Sequence, residues 1–85
     1  LGKNCLVADG AVINPFVKVG DNSFIWEQAL VSSDANIGNH CYLAPKSTIS
    51  SYCEISDNCV TGTASVLKAR VKLASKTLVG AACYI

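Results

Sequence analysis

The chain has 85 residues, which allow one domain with a modest core, so support from neighbouring subunits is expected. Seven Lys and Arg residues nearly balance six Asp and Glu residues, and a net charge of +1 is too weak to attract nucleic acid or an anionic membrane. No apolar run approaches the roughly 18 residues that a membrane span needs, so we predict no membrane partner and a soluble, cytoplasmic protein.

A strict six-residue repeat organises the whole sequence. Counted from Leu1, every sixth residue is Leu, Ile or Val at fourteen of fifteen positions, and Thr61 is the exception. The residue four places further on is always Ala, Ser, Cys, Thr or Val. Every Gly and both prolines fall one to three places after the aliphatic residue, where turns need them. Each hexad is therefore a short strand followed by a turn, and the repeat predicts a parallel β-helix.

This pattern resembles the hexapeptide-repeat family, and the resemblance covers the whole chain. In that family three hexads form one triangular, left-handed coil. The resemblance implies an all-β fold, a single-stranded left-handed parallel β-helix of fourteen hexads in between four and five coils, as one domain over residues 1–85. Because the chain starts without Met and stops within a repeat, we expect a module of a longer transferase or end-to-end stacking of copies.

One outward-facing residue per hexad defines three faces, taken in chain order. The first, the aromatic face, carries Leu6, Phe24, Tyr42, Val60 and Leu78. The second, the aliphatic face, carries Val12, Leu30, Thr48, Val66 and Tyr84. The third, the polar face, carries Lys18, Asn36, Glu54 and Lys72, and Lys72 is expected to pair with Glu54 on the neighbouring coil.

Two apolar faces exceed what a monomer usually exposes. We therefore predict a cyclic homo-oligomer, and the resemblance implies a homotrimer. A helix or a neighbouring domain that covers one face is the alternative.

The five cysteines fall on inward positions: Cys5, Cys41, Cys53, Cys59 and Cys83. Free Cys packs as a small hydrophobe, so we predict core thiols and no metal site. Cys41 and Cys59 would lie on adjacent coils, and a disulfide between them is disfavoured but left open.

The run from Val19 to Ile85 is similar to bacterial sugar acetyltransferases, namely the sialic acid O-acetyltransferase and nucleotide-aminosugar N-acetyltransferase group. The segments "VGDNSFI" and "VGAACYI" carry most of the resemblance. It implies an acyltransferase that uses acetyl-CoA as co-substrate and a sugar or nucleotide-sugar hydroxyl or amine as acceptor. The active site would lie between subunits.

The resemblance also implies site residues. The family's catalytic His position holds Ser33 here, and its acidic partner is Asp34, so the expected base is missing. A second His that contacts the acyl group corresponds to Tyr42, and the amide that binds the acyl carbonyl corresponds to Ser51. The remaining cofactor-binding positions correspond to Gly62, Thr63, Gly80 and Ala81, with Lys68, Arg70, Lys72 and Lys76 as candidate phosphate ligands.

His40 is the only histidine, and a lone His is the usual first candidate for a general base. One coil holds 18 residues, so the residues stacked above and below His40 lie at multiples of 18 positions from it. They are Asn4, Asn22, Asn58 and Lys76. Because Asn and His both tolerate positive φ, His40 is interpreted first as a turn residue. It stays a catalytic candidate if it reaches the cleft from its own or a neighbouring chain.

Three other functions compete with acetyl transfer for this sequence. A γ-type carbonic anhydrase needs three histidines for zinc, and an ice-binding β-helix needs a regular Thr face; the sequence offers neither. A catalytically degenerate β-helix that serves as a structural or oligomerisation module is the remaining rival. Trp26 and Phe16 fall on turns, where we expect them to point outward from the corners and to pack on a neighbouring chain, with stacking on a sugar or adenine ring as the alternative.

Overall fold

The computed structural model describes residues 2–85, so Leu1, the first aliphatic residue of the repeat, lies outside the described residues. Within that range no helix occurs that is long and apolar enough to cross a membrane. Thirteen two-residue strands follow one another at a spacing of six residues. They are β1 Leu6–Val7, β2 Val12–Ile13, β3 Lys18–Val19, β4 Phe24–Ile25, β5 Leu30–Val31, β6 Asn36–Ile37, β7 Tyr42–Leu43, β8 Thr48–Ile49, β9 Glu54–Ile55, β10 Val60–Thr61, β11 Val66–Leu67, β12 Lys72–Leu73 and β13 Leu78–Val79. The fourteenth predicted strand is reduced to a single bridge from Tyr84 to Val66.

The strands form three parallel sheets, one for each predicted face. The aromatic face has the order β1-β4-β7-β10-β13, the aliphatic face β11-β8-β5-β2 and the polar face β12-β9-β6-β3. Every pairing joins a residue to the one 18 positions later, as in Phe24 with Tyr42. The register confirms the three predicted columns, and the architecture is a β-solenoid of about four turns, consistent with a left-handed β-helix.

The core fills the centre of the prism with the repeat residues. Ile25, Val31, Leu43, Ile49 and Leu67 are all fully buried, because strand side chains alternate and the repeat residue always points inward. Burial weakens at the first coil, where Val7 is 40% exposed. The prediction of five core thiols holds for Cys41, Cys53 and Cys59 but is wrong for Cys83, which is exposed because it lies in the last described coil.

Each turn places its third residue after the aliphatic in the left-handed backbone region. His40 has φ 56° and Asn22, one coil before it, has the same value. Aspartate and asparagine side chains support the turn between the polar and aromatic faces, where Oδ1 of Asn39 accepts the backbone N–H of Asp21 at 2.6 Å. A side chain at Gly62 would place its Cβ 2.5 Å from the backbone nitrogen of Ala81, so this position needs glycine for coils to stack.

Candidate functional site

The three corners of the prism separate the residues that the sequence singled out. We name each corner by the faces that it joins, in chain order. His40 lies on the polar–aromatic corner, exposed, and its backbone N–H donates to the carbonyl of Asp21 at 2.9 Å. Its positive φ in a column with Asn22 and Asn58 confirms the interpretation of His40 as a turn residue.

Ser33 and Asp34 lie on another corner, the aliphatic–polar one, and both are half-buried. Asp34 has φ 64°, and the carbonyl of Ser33 accepts the backbone N–H of Tyr52 at 3.3 Å. The polar-face strand β6 separates this pair from His40. A single chain therefore does not bring His40 together with the pair Ser33 and Asp34.

Ser51 lies directly above Ser33 on the same corner, and its carbonyl accepts the backbone N–H of Arg70 at 3.0 Å. Among the residues that the structure describes, the Ser51 backbone N–H donates to no other group. A free outward amide is what the stabilisation of an oxyanion requires. The identity of the side chain at position 51 does not affect this interaction, since any residue except proline supplies the backbone N–H.

Cations cluster above Ser51, and each has a partner on a neighbouring element. Nζ of Lys68 lies 5.0 Å from the ring centroid of Tyr84. The guanidinium carbon of Arg70 lies 4.7 Å from the ring centroid of Tyr52. These cation–π contacts hold two charges on one corner, where the sequence had offered them as phosphate ligands.

The predicted ion pair on the polar face is confirmed. Nζ of Lys72 lies 3.2 Å from Oε2 of Glu54, and both side chains are exposed. Exposed ion pairs stabilise a fold by about 1 kcal/mol at most, so this contact adds little to the stability of the two coils that it joins.

Gly62, Thr63, Gly80 and Ala81 all lie on the third corner, the aromatic–aliphatic one. Gly62 is half-buried and the other three are exposed. Above Pro45 this corner therefore carries no long side chain at these four positions.

An aromatic cluster, which the sequence did not predict as a unit, lies on the aromatic face. The ring centroid of Trp26 is 5.8 Å from that of Tyr42 at an angle of 46° and 6.3 Å from that of Phe24 at 83°. Phe16 points outward as predicted and is 80% exposed. Trp26 also lies on the outside of the coils, since the rings on which it packs belong to the outward-facing Phe24 and Tyr42. Trp26 is half-buried against the two neighbouring rings, because Ala8 and Ala44 above and below it leave room for the indole. Small neighbours in its column were the signal that sequence reasoning missed.

The buried thiols make hydrogen bonds in addition to packing. All five cysteines are free, so the disulfide that the sequence left open is not formed. Sγ of Cys53 donates to the carbonyl of Lys68 at 3.0 Å, and Sγ of Cys59 donates to that of Ala74 at 3.1 Å. Burial raises the pKa of the Cys41 thiol above its ordinary value, which keeps it protonated and a poor nucleophile.

Neither an enclosed pocket nor a group of three potential metal ligands occurs within residues 2–85 of one copy. What the chain does present is a set of exposed surfaces. They are a free amide beside two cations on one corner, an aromatic cluster on one face and a histidine at the edge of that face.

Comparison with known proteins supports the repeat. Residues 1–33 match the family described as "Bacterial transferase hexapeptide (six repeats)". No curated protein matches the chain by sequence. The structural match to WeeI from Acinetobacter baumannii AYE has a TM-score of 0.74 at 22% identity and covers 92% of this chain and 45% of that one.

Two further solved structures match the chain. The product of the BC4754 gene of Bacillus cereus matches with a TM-score of 0.50 at 13% identity, over 94% of this chain and 69% of that one. The acetyltransferase domain of PglB from Neisseria gonorrhoeae FA1090 matches with a TM-score of 0.45 at 19% identity, over 95% of this chain and 48% of that one. The chain thus spans less than half the length of WeeI and of the PglB domain.

The repeat match at residues 1–33 and the fold shared with WeeI agree with the hexad pattern that runs through all 85 residues. Residues 1–33 thus match the bacterial transferase hexapeptide repeat, and the coils that follow continue the same six-residue spacing in a fold shared with WeeI.

Proposed function

We propose that this chain is an acyltransferase that moves an acetyl group from acetyl-CoA to a hydroxyl or amine of a sugar. The observation that carries the proposal is the match of residues 1–33 to the bacterial transferase hexapeptide repeat, continued without insertion by the coils that follow. The free Ser51 amide beside Lys68 and Arg70 supports it, because a thioester needs an oxyanion donor and CoA carries phosphates.

The site lies between copies of the chain in a homotrimer. Leu78 on the aromatic face is 74% exposed and Tyr84 on the aliphatic face is 68% exposed, and a second and a third copy would cover such surfaces. In a trimer of triangular prisms, the threefold rotation turns each copy by 120°, which is also the angle between the faces of one prism. The faces of all three copies therefore point in the same three directions. No face can then lie flat on a neighbour's face, and facing walls diverge by about 60°. A groove between subunits is therefore built into the assembly.

The reaction has one transfer step. The acceptor oxygen or nitrogen attacks the thioester carbonyl carbon, the Ser51 N–H stabilises the developing oxyanion, and the C–S bond breaks to release CoA. The acceptor proton goes to a base or to the departing thiolate. Ser33 cannot serve as that base, since an unactivated hydroxyl has no suitable pKa, so His40 is the protein base that we propose.

The test is acetyl transfer by the purified protein. It is incubated with acetyl-CoA and a panel of free and nucleotide-linked amino sugars, and released CoA is measured by chromatography. A thiol reagent would be misleading, because Cys83 is exposed. Acceptor-dependent release of CoA is expected. Neither CoA release nor CoA binding by calorimetry would refute the enzyme function.

A second function, an oligomerisation module without catalysis, is favoured by one observation. Ser33 occupies the position where related transferases carry their catalytic His. This alternative predicts the same trimer by sedimentation but no heat of CoA binding. Calorimetry with CoA on the trimeric protein therefore separates the two functions.

A further inference from the structure

We infer that the aromatic cluster of Phe24, Trp26 and Tyr42 binds the acceptor, and that this acceptor is a sugar ring without a phosphate group. The inference rests on the proposed function, because it places the second substrate of that reaction. It also narrows the choice between a free or glycan-linked sugar and a nucleotide sugar.

Within one copy the cluster presents carbon to solvent, on a wall of the groove that we propose between subunits. Phe24 is 40% exposed and Tyr42 is 39% exposed, while the indole stands tilted by 46° to the Tyr42 ring. Nε1 of Trp26 is buried and has no hydrogen-bond partner within residues 2–85, so the accessible part of the indole is carbon. The C–H groups on one side of a pyranose pack well on such a surface, since aromatic faces carry partial negative charge.

Charge on the neighbouring residues disfavours a phosphate here. The coil of residues 20–37, which carries Phe24 and Trp26, contains Asp21, Glu27 and Asp34 and neither Lys nor Arg. On the corner beside Trp26, Glu27 lies above Asp9 and below Pro45 in its column, and the Lys46 N–H donates to the Glu27 carbonyl at 3.0 Å. A diphosphate beside Trp26 would meet two carboxylates on this corner, Asp9 and Glu27, against one cation, Lys46.

The opposite charge lies two coils higher. Residues 58–85 contain Lys68, Arg70, Lys72 and Lys76 and neither Asp nor Glu. Because coils stack in chain order at about 4.8 Å per coil, this segregation is spatial. Charge complementarity thus assigns the phosphate-bearing donor to the upper coils and a neutral or amino sugar to the aromatic cluster.

Polar groups border the cluster on both sides. Glu27 follows Trp26 directly on one corner, and His40 precedes Tyr42 by two residues on the other. A carboxylate accepts hydrogen bonds from sugar hydroxyls or from an ammonium group. His40 then stands at the edge of the acceptor site of its own chain, whereas Ser33 and Asp34 lie beyond the polar face.

Trp26 is the only tryptophan in the chain, so its fluorescence reports on this site alone. The trimeric protein is titrated with glucosamine and N-acetylglucosamine, and separately with UDP-N-acetylglucosamine, at low and high salt. We expect a saturable change with the free sugars. We expect the nucleotide sugar to bind at least fivefold more weakly than the free sugars at low salt. This difference in affinity should decrease at high salt.

Variants sharpen the test. Tyr42→Ala should weaken sugar binding at least tenfold, and Glu27→Gln should reduce the discrimination against the nucleotide sugar. Phe16→Ala, an exposed aromatic on another corner, is the matched control and should leave the titration unchanged. Far-ultraviolet circular dichroism checks that each variant folds.

Three results would overturn the inference: no fluorescence change with any sugar, tighter binding of the nucleotide sugar, or emission that responds only to dilution of the trimer, which would mean that a second copy covers Trp26. Acceptor-dependent CoA release with silent fluorescence would leave the proposed function standing and remove this site. Sugar binding without CoA release would support this site and refute the proposed function.

Discussion

Sγ of Cys41 donates a hydrogen bond to the backbone carbonyl of Ser56, 3.2 Å away on the next coil. Ser23, one coil below in the same column, does the same with its hydroxyl to Gly38 at 2.8 Å. We therefore expect Cys41→Ser to keep the stability of the fold within about 0.5 kcal/mol, and Cys41→Ala to lose about 1 kcal/mol. Urea denaturation of both variants measures the difference. Equal loss in the two variants would show that packing by sulfur, not the hydrogen bond, matters there.

Stability should fall in alkaline solution through Cys41. Burial is the main cause that raises the pKa of this thiol above its ordinary value of 9.0. Above that pH the unfolded chain loses the proton while the folded chain keeps it, so the free energy of unfolding decreases with rising pH and is unaffected below it. Urea midpoints from pH 8 upward test this, with Cys41→Ser as the control whose hydroxyl does not titrate. Parallel curves for the two proteins would contradict the prediction.

Ser51→Pro should abolish most acetyl transfer without unfolding the protein. Pro15 occupies the same column two coils below, so the turn already accepts proline there, and the substitution removes the one N–H that faces the acyl group. We expect kcat to fall by about 10²–10³, as for the loss of an oxyanion donor. Ser51→Ala keeps the amide and should keep the activity; if it loses as much as the proline variant, the hydroxyl rather than the backbone is the donor.

His40→Asn should leave the fold intact and remove the base. Asn22 and Asn58 hold the same backbone conformation in this column, with φ 56° and 61°. A β-branched residue tolerates that conformation poorly, so His40→Val should cost about 1–2 kcal/mol. Thermal denaturation compares the folds, and a pH profile of kcat compares the chemistry. A bell-shaped profile that persists in His40→Asn would assign the proton transfer to another group.

Leu78→Lys should weaken the trimer. Leu78 is the most exposed large aliphatic side chain on the aromatic face, at 74%, and a lysine there would place a charge against the aliphatic face of a neighbouring copy. We expect sedimentation velocity at micromolar concentration to show dissociation. Lys18→Glu, which alters the charge of the polar face, is the control and should leave the trimer unchanged. Dissociation by Lys18→Glu alone would place the interface on the polar face.

Several features of the fold were predictable from the sequence because they depend only on its six-residue repeat. The hexad spacing of Ile25, Val31 and Ile37 set the strands, their inward direction and the three faces, and each was confirmed. The pairing of Lys72 with Glu54 followed from the same 18-residue column. His40 was assigned to its turn by comparison with the Asn residues in its column, and its φ agrees.

Other features depend on which groups meet through space. The sequence predicted thiols that only pack, whereas Cys41 also satisfies a carbonyl on the next coil. Trp26 was expected to point outward from its corner, but the sequence did not indicate that its ring packs on Phe24 and Tyr42. Neither outcome follows from a residue's place in its hexad, because both depend on the room that the neighbouring coils leave.

The sequence by itself determined the repeat, the parallel coils and the inward direction of each aliphatic side chain, since a six-residue period leaves a strand only one way to bury that side chain. The tertiary structure decided that His40 and the pair Ser33 and Asp34 stand on different corners, with the aromatic cluster beside His40 alone. The physical reason is the triangular coil: residues six positions apart occupy equivalent turns yet face directions about 120° apart, so proximity in sequence becomes separation in space.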